Sequence, residues 1–139
     1  MNPNDYQVGG THYKNGKCEH WDFIEDNGIG YLEGCATKYA TRNRKKHQSP
    51  VEDLNKAIHY CQKLQALYLA GKRNNRSNAK IYPSVDQFAQ ANGLTEDEKL
   101  VVAMLTYWED AGDIQCAIET IEDMRDKALA AGDDSEEHC

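Results

Sequence analysis

The chain has 139 residues, 40% of them hydrophobic, and a formal net charge of −7. That length suits one ordinary domain, or a small core with an appendage. No apolar run approaches the ~18 residues of a membrane-spanning helix, and the polar N-terminus has no secretory hydrophobic region. A cytoplasmic protein with no membrane partner is therefore expected.

The charge is unevenly placed. Residues 1–80 hold 13 Lys/Arg against 8 Asp/Glu, and residues 81–139 hold 3 against 15, local balances of +5 and −12. The first half suits an anionic ligand. The second half repels nucleic acid, which argues against general nucleic-acid binding. Five cysteines (Cys18, Cys35, Cys61, Cys116, Cys139) are an odd number with irregular spacing, unlike a disulfide framework.

Residues 1–20 are polar and turn-rich, and Gly9-Gly10 leads into Thr11, His12 and Tyr13. This is a loop, and His12 is its candidate for donating to a phosphate or accepting a proton. The Cys18-x-His20 pair, with His12 upstream and Cys35 downstream, lacks the CxxC half-sites of a zinc site, so no metal is assigned there. Residues 21–27 predict a short helix ended by Asn27-Gly28. Gly28-Ile29-Gly30 follows no strand and lacks a third glycine, so it is no dinucleotide fingerprint.

A basic helix is expected over residues 30–46, with Leu32, Cys35, Ala36, Tyr39 and Ala40 as its apolar stripe. Gly34 is odd in its interior, costing ~1 kcal/mol relative to alanine unless something approaches closely. Lys38, Arg42 and Lys45 recur at i, i+4 and i+7, which puts three cations on one face. Like charges so placed repel, so the face calls for an anion. Either carboxylates Glu52 and Asp53 on the next helix or a phosphate-bearing ligand answers that need.

The next helix starts strongly. Ser49 is its N-cap, Pro50 its first residue and Glu52 the third, a capping-box pattern. It runs to about Ala70 and stops at Gly71, with Val51, Leu54, Ile58, Cys61, Leu64 and Tyr68 as its core stripe. Asp53, Lys56 and Tyr60 form a second line on a neighbouring face. The short connection makes the two helices an antiparallel αα-hairpin. Residues 73–83 read as a linker by composition, with Arg73 and Arg76 as solvated charges in preference to partners of a ligand or of the acidic second half.

The remainder is helical again. Ser84-x-x-Gln87 and Thr95-x-x-Glu98 read as capping signals. Leu100, Val101, Met104, Leu105 and Trp108 line one helix, which Gly112 stops. Asp113 starts a last helix carrying Ile114, Ala117, Ile118, Ile121, Met124 and Ala128. The expected fold is all-α: an antiparallel αα-hairpin core with additional C-terminal helices. Its parts are a core region 1–72, a linker 73–83, an acidic helical region 84–131 and a disordered acidic tail 132–139. The hairpin half alone buries too little surface to be stable, so packing on the C-terminal helices or on other copies is expected, with a homo-oligomer as the result.

VGGTHYK, WDFIEDNGIGYLEG, KYATR and VEDLNKAIHYCQKL resemble a tailed-phage family of small helical proteins. That family was formerly a domain of unknown function and includes the T-odd coliphage nucleotide kinase. The resemblance spans residues 7–70, and the acidic half lies outside it. Its pattern falls on His12, Tyr13, Gly34, Lys38, Tyr39, Arg42, Lys45, Glu52, Asp53, Leu54, Lys56, Ala57 and Tyr60. Cys35 stands where the family often has Asn, and residues 47–50 replace its glycine-rich turn.

The resemblance implies a nucleotide kinase that moves a phosphoryl group from a nucleoside triphosphate to a (deoxy)nucleoside monophosphate. No GxxxxGK[ST] motif is present, so a P-loop kinase is excluded. On this reading Lys38, Arg42, Lys45 and Lys56 neutralise phosphate charge, and His12 or Asp53 orients or deprotonates the acceptor. Tyr13, Tyr39 or Tyr60 stacks on a base. Mg2+ arrives with the triphosphate, touched by Glu52 or Asp53. Three alternatives remain open. One is a non-catalytic protein that sequesters a nucleotide, possibly one of host defence signalling. Another is a host-directed interaction protein using the acidic half. The last is a MazG-type pyrophosphohydrolase, whose ExxE and ExxD pairs are missing here.

Overall fold

The computed structural model describes residues 18–42, 49–79 and 84–132. His12, Tyr13 and Lys45 fall outside the described residues, as does the chain beyond Gly132. The architecture is all-α. The described residues form six helices, α1 (His20–Asp26), α2 (Tyr31–Arg42), α3 (Pro50–Leu69), α4 (Ser84–Asn92), α5 (Glu96–Tyr107) and α6 (Ala111–Ala130).

Four helices close a ring, with α2 packed on α3, α3 on α6, α6 on α5 and α5 on α2. The pairings run antiparallel. Arg42 meets Asp53 and Tyr39 meets Tyr60 across α2 and α3. Asn55 meets Arg125 and Gln65 meets Ala111 across α3 and α6. Asp97 meets Lys127 and Met104 meets Thr120 across α5 and α6. Apolar stripes at helical spacing fill the ring, with Ala36 and Ala40, Leu54, Ile58 and Leu64, Val101 and Leu105, and Ile114, Ile118 and Ile121. A smaller layer of α1 and α4 lies against α2 and α5, around the stacked rings of Phe23 and Phe88.

Helix ends follow local chemistry with some departures from expectation. Ser49 caps α3, but its hydroxyl accepts from the N–H of Val51 at 3.2 Å rather than from Glu52. The reciprocal capping box forms at Thr95 and Glu98. Gly71, at φ +74°, lets the chain leave α3, a geometry a side chain would strain. Ser84 lies within α4 and donates to Asn27 at 3.2 Å. The last helix begins at Ala111, capped by Asp110, so Gly112 is inside it rather than before it. Leu100 is exposed, because Val101, Val102 and Leu105 take the inward positions of α5.

The segment after α3 departs most from a linker of solvated charges. Arg73 is buried and ion-paired to Glu33 of α2, itself only 1% exposed. The second oxygen of Glu33 accepts from Trp108 Nε1 at 2.8 Å. Asn75 donates to the carbonyls of Thr106 and Trp108 at 3.0 and 2.8 Å, satisfying acceptors that the end of α5 leaves open. The Asn78 N–H donates to the Asn27 carbonyl at 2.9 Å. Residues 73–78 are thus a strap tying α1, α2 and α5. Arg76 is exposed, as expected.

Gly34 has its close approach. A Cβ there would stand 3.3 Å from Ile24 of α1, so the missing methyl lets α1 seat on α2.

Candidate nucleotide-binding face

Side chains of α2 and α3 converge on one ring. Arg42 Cζ lies 4.4 Å from the Tyr39 centroid, Lys56 Nζ 5.3 Å and Lys38 Nζ 5.4 Å. Tyr60 stacks nearly parallel to Tyr39, centroids 5.9 Å apart, and Tyr31 meets Tyr60 edge-on at 6.4 Å. The antiparallel hairpin explains the convergence: positions 38, 39 and 42 face 53, 56 and 60 across the helix pair. Each cation gains about 0.5–1 kcal/mol at such a ring when the cation is exposed. Cations held around one ring repel each other by roughly 0.5 kcal/mol per pair in water, and more near protein. Gain and cost are thus comparable, and an anion would tip the balance.

Asp53 is fully buried, with Oδ2 3.9 Å from Arg42 Nε, beyond hydrogen-bond reach. Among the described residues, neither oxygen of Asp53 nor Nε of Arg42 has a hydrogen-bond partner. Asp53 sits in the first turn of α3, at the positive end of that helix dipole. Asp53 therefore neutralises and steers Arg42 from below, while Glu52 beside it is exposed. Lys38 and Lys56 make no salt bridge among the described residues. Of the residues expected to act together, Lys38, Tyr39, Arg42, Asp53, Lys56 and Tyr60 are brought to one place. Glu52 stands at the neighbouring helix start without a bridge to Arg42.

Cys35 is half-exposed rather than part of the core stripe, and it sits against two phenols. Its hydrogen bond holds Tyr31 above the ordinary phenol value, and its charge when ionised raises Tyr60. Cys61 by contrast is a core thiol, pushed up to about 12 by burial and then by Glu33.

On the other side of Lys38, α1 and α2 bound a cleft of about 290 Å³, lined by His20, Trp21, Ile24, Glu25, Ile29, Tyr31, Gly34, Cys35 and Lys38. A neighbouring groove of about 440 Å³ reaches Thr41, Arg42, Phe88 and Asn92. His20 Nε2 lies 2.8 Å from Thr37 Oγ1. Thr37 donates its own proton to the Gly34 carbonyl, so His20 is the donor of that pair. Burial, then Lys38, lowers His20 to about 4, with the Gly34 carbonyl partly opposing. His20 is thus neutral near pH 7.

Sequence reasoning missed His20, Trp21 and Tyr31. A signal existed for Tyr31, which precedes Lys38 by seven residues and Arg42 by eleven and so shares their face. Among the described residues no group of three or more His, Cys, Asp or Glu gathers to hold a metal ion, and no helix is long and apolar enough to cross a membrane.

Residues 8–62 match the model of a protein family described as being of unknown function (DUF3310). The match takes in α1, α2 and most of α3, and therefore every residue of the cation cluster. No curated protein and no solved structure matches the chain.

Proposed function

We propose that the Tyr39 face binds nucleotide phosphates and that the protein is a (deoxy)nucleoside monophosphate kinase without a P-loop. The observation that carries this reading is the convergence of Lys38, Arg42 and Lys56 on one ring, with the buried Asp53 as the one ion-pair partner among the described residues. Phosphoryl transfer is mainly a problem of positioning and charge neutralisation. An oxygen of the monophosphate forms a bond to the γ-phosphorus of the triphosphate. The bond to the β-phosphate oxygen breaks, and a diphosphate leaves with that electron pair. The acceptor phosphate has a second pKa near ~6, so it is already a dianion above pH 7 and no base need deprotonate it.

That shifts the role of Asp53 from base to positioning residue. Its carboxylate stands on the Nε side of Arg42, 3.9 Å away, as a counter-charge, which leaves the terminal nitrogens for a two-pronged grip on phosphate. Tyr39 organises the cations rather than stacking a base. Magnesium arriving with the triphosphate would neutralise phosphate charge, and Glu52, exposed where Asp53 is buried, would be the carboxylate to touch it.

The test is incubation with radiolabelled ATP and each deoxynucleoside monophosphate, followed by product separation. Labelled diphosphate is expected, and is lost in Lys38→Ala. Arg42→Ala is a poorer probe, because it strands buried Asp53. A second reading, sequestration of a nucleotide without turnover, is favoured by Cys35, which packs on Tyr31 and Tyr60 where the resembled family often has Asn. Retained nucleotide after gel filtration, with no diphosphate formed, would select it.

A further inference from the structure

From the cleft between α1 and α2 we infer a nucleobase subsite, in which the base lies against Trp21 and Tyr31 and its phosphate reaches Lys38. This rests on the reading of the Tyr39 face as a phosphate site, and it moves the base away from Tyr39 and Tyr60.

Four large hydrophobic side chains are exposed among the described residues, and two of them, Trp21 at 52% and Tyr31 at 72%, line this one cleft. Exposed aromatic rings placed together usually have something to bind. Gly34 and Ile24, in close approach to each other, lie between the two rings in the lining of the cleft. Its volume of about 290 Å³ falls at the lower end of the ~300–1,000 Å³ typical of small-molecule sites. It is thus suited to a base and sugar rather than to a peptide or a helix.

Polarity orders the ligand. Lys38 belongs both to the cleft wall and to the Tyr39 cluster, so a phosphate at Lys38 is shared with Arg42 and Lys56. Glu25, one turn after Trp21 on α1, offers an acceptor to the amino or imino edge of a base. His20 is neutral, with its Nε2 proton committed to Thr37, so it adds no competing anion site. Charge and shape therefore agree on a nucleotide, with the base between α1 and the start of α2 and the phosphates over its end.

Two tryptophans make this measurable, since Trp108 is buried at 1% exposure and Trp21 is not. The intact protein is titrated with each of the four deoxynucleoside 5′-monophosphates and with inorganic tripolyphosphate, following fluorescence and heat. A monophosphate should quench Trp21 emission, whereas tripolyphosphate should bind without quenching. Trp21→Ala and Tyr31→Ala should each weaken the monophosphate about tenfold, as loss of one stacking ring does, and leave tripolyphosphate unchanged. Trp21→Phe should restore most of the affinity. Both rings are exposed, so these variants should fold. If all three variants bind the monophosphate as the wild type does while tripolyphosphate still binds, the base lies elsewhere and the phosphate site survives. If the wild type binds neither probe, the phosphate reading fails and takes the subsite with it.

Discussion

Arg73→Met is the sharpest test of the strap. The substitution keeps the aliphatic stem and removes the guanidinium that pairs with Glu33. Glu33 is 1% exposed, so its carboxylate would keep the Trp108 N–H as a partner and lose its counter-charge. Removing one member of a buried ion pair costs about 3–5 kcal/mol, a large share of the ~5–15 kcal/mol that holds a domain of this kind together. With a urea slope near ~2 kcal/mol/M, the unfolding midpoint should fall by roughly 2 M. Trp108 emission and circular dichroism at 222 nm should report one coincident transition. The double variant Arg73→Met/Glu33→Gln keeps an acceptor for Trp108 and removes both charges, so it should recover at least half of the loss. A single-variant change below about 0.5 kcal/mol would place Arg73 in solvent and refute the strap.

Other outcomes follow from the same geometry. Gly30→Ala puts a methyl into the Arg73 guanidinium and 2.7 Å from Glu33 Oε1; it should cost about 1–3 kcal/mol by urea melt, and less when Arg73→Met is already present. Lys38→Ala and Lys56→Ala should leave stability within about 0.5 kcal/mol and weaken nucleotide about ten- to hundredfold, the worth of a charged hydrogen bond, as read by calorimetry. His20 is held at about 4 in the folded chain against 6.5 unfolded, so its contribution is present above pH 6.5 and lost as pH falls towards 4. Between pH 7 and pH 5 that is at most roughly 2 kcal/mol of stability, and His20→Gln should flatten this part of the profile. Sedimentation should show a species larger than one chain, helped by exposed Leu69 and Leu100; a strict monomer at working concentration would contradict self-association.

Much of the fold was legible because helix signals are local. Ser49-Pro50, Thr95-x-x-Glu98 and the Gly71 stop act within a few residues, and stripes such as Leu54, Ile58 and Leu64 repeat at the helical period whatever they pack against. The cation face was legible for the same reason, since one helix carries Lys38 and Arg42 and the next carries Asp53, Lys56 and Tyr60. The burial of Asp53 was not legible, because spacing gives a face but not its depth.

The sequence by itself therefore determined the helices, the ends that carry a local cap or stop such as Ser49, Thr95 and Gly71, the hairpin and its surplus of positive charge. These depend on interactions between residues three or four apart, or across one short turn. Tertiary structure decided the rest. Arg73 looks like any solvated basic residue until Glu33, forty positions away, and Trp108 supply a buried acceptor and a ring. Trp21 and Tyr31 are ordinary apolar residues until the missing side chain of Gly34 lets α1 settle on α2 and leaves a cleft between them. Burial of a charge and the opening of a cleft are properties of non-local packing, and no local pattern encodes them.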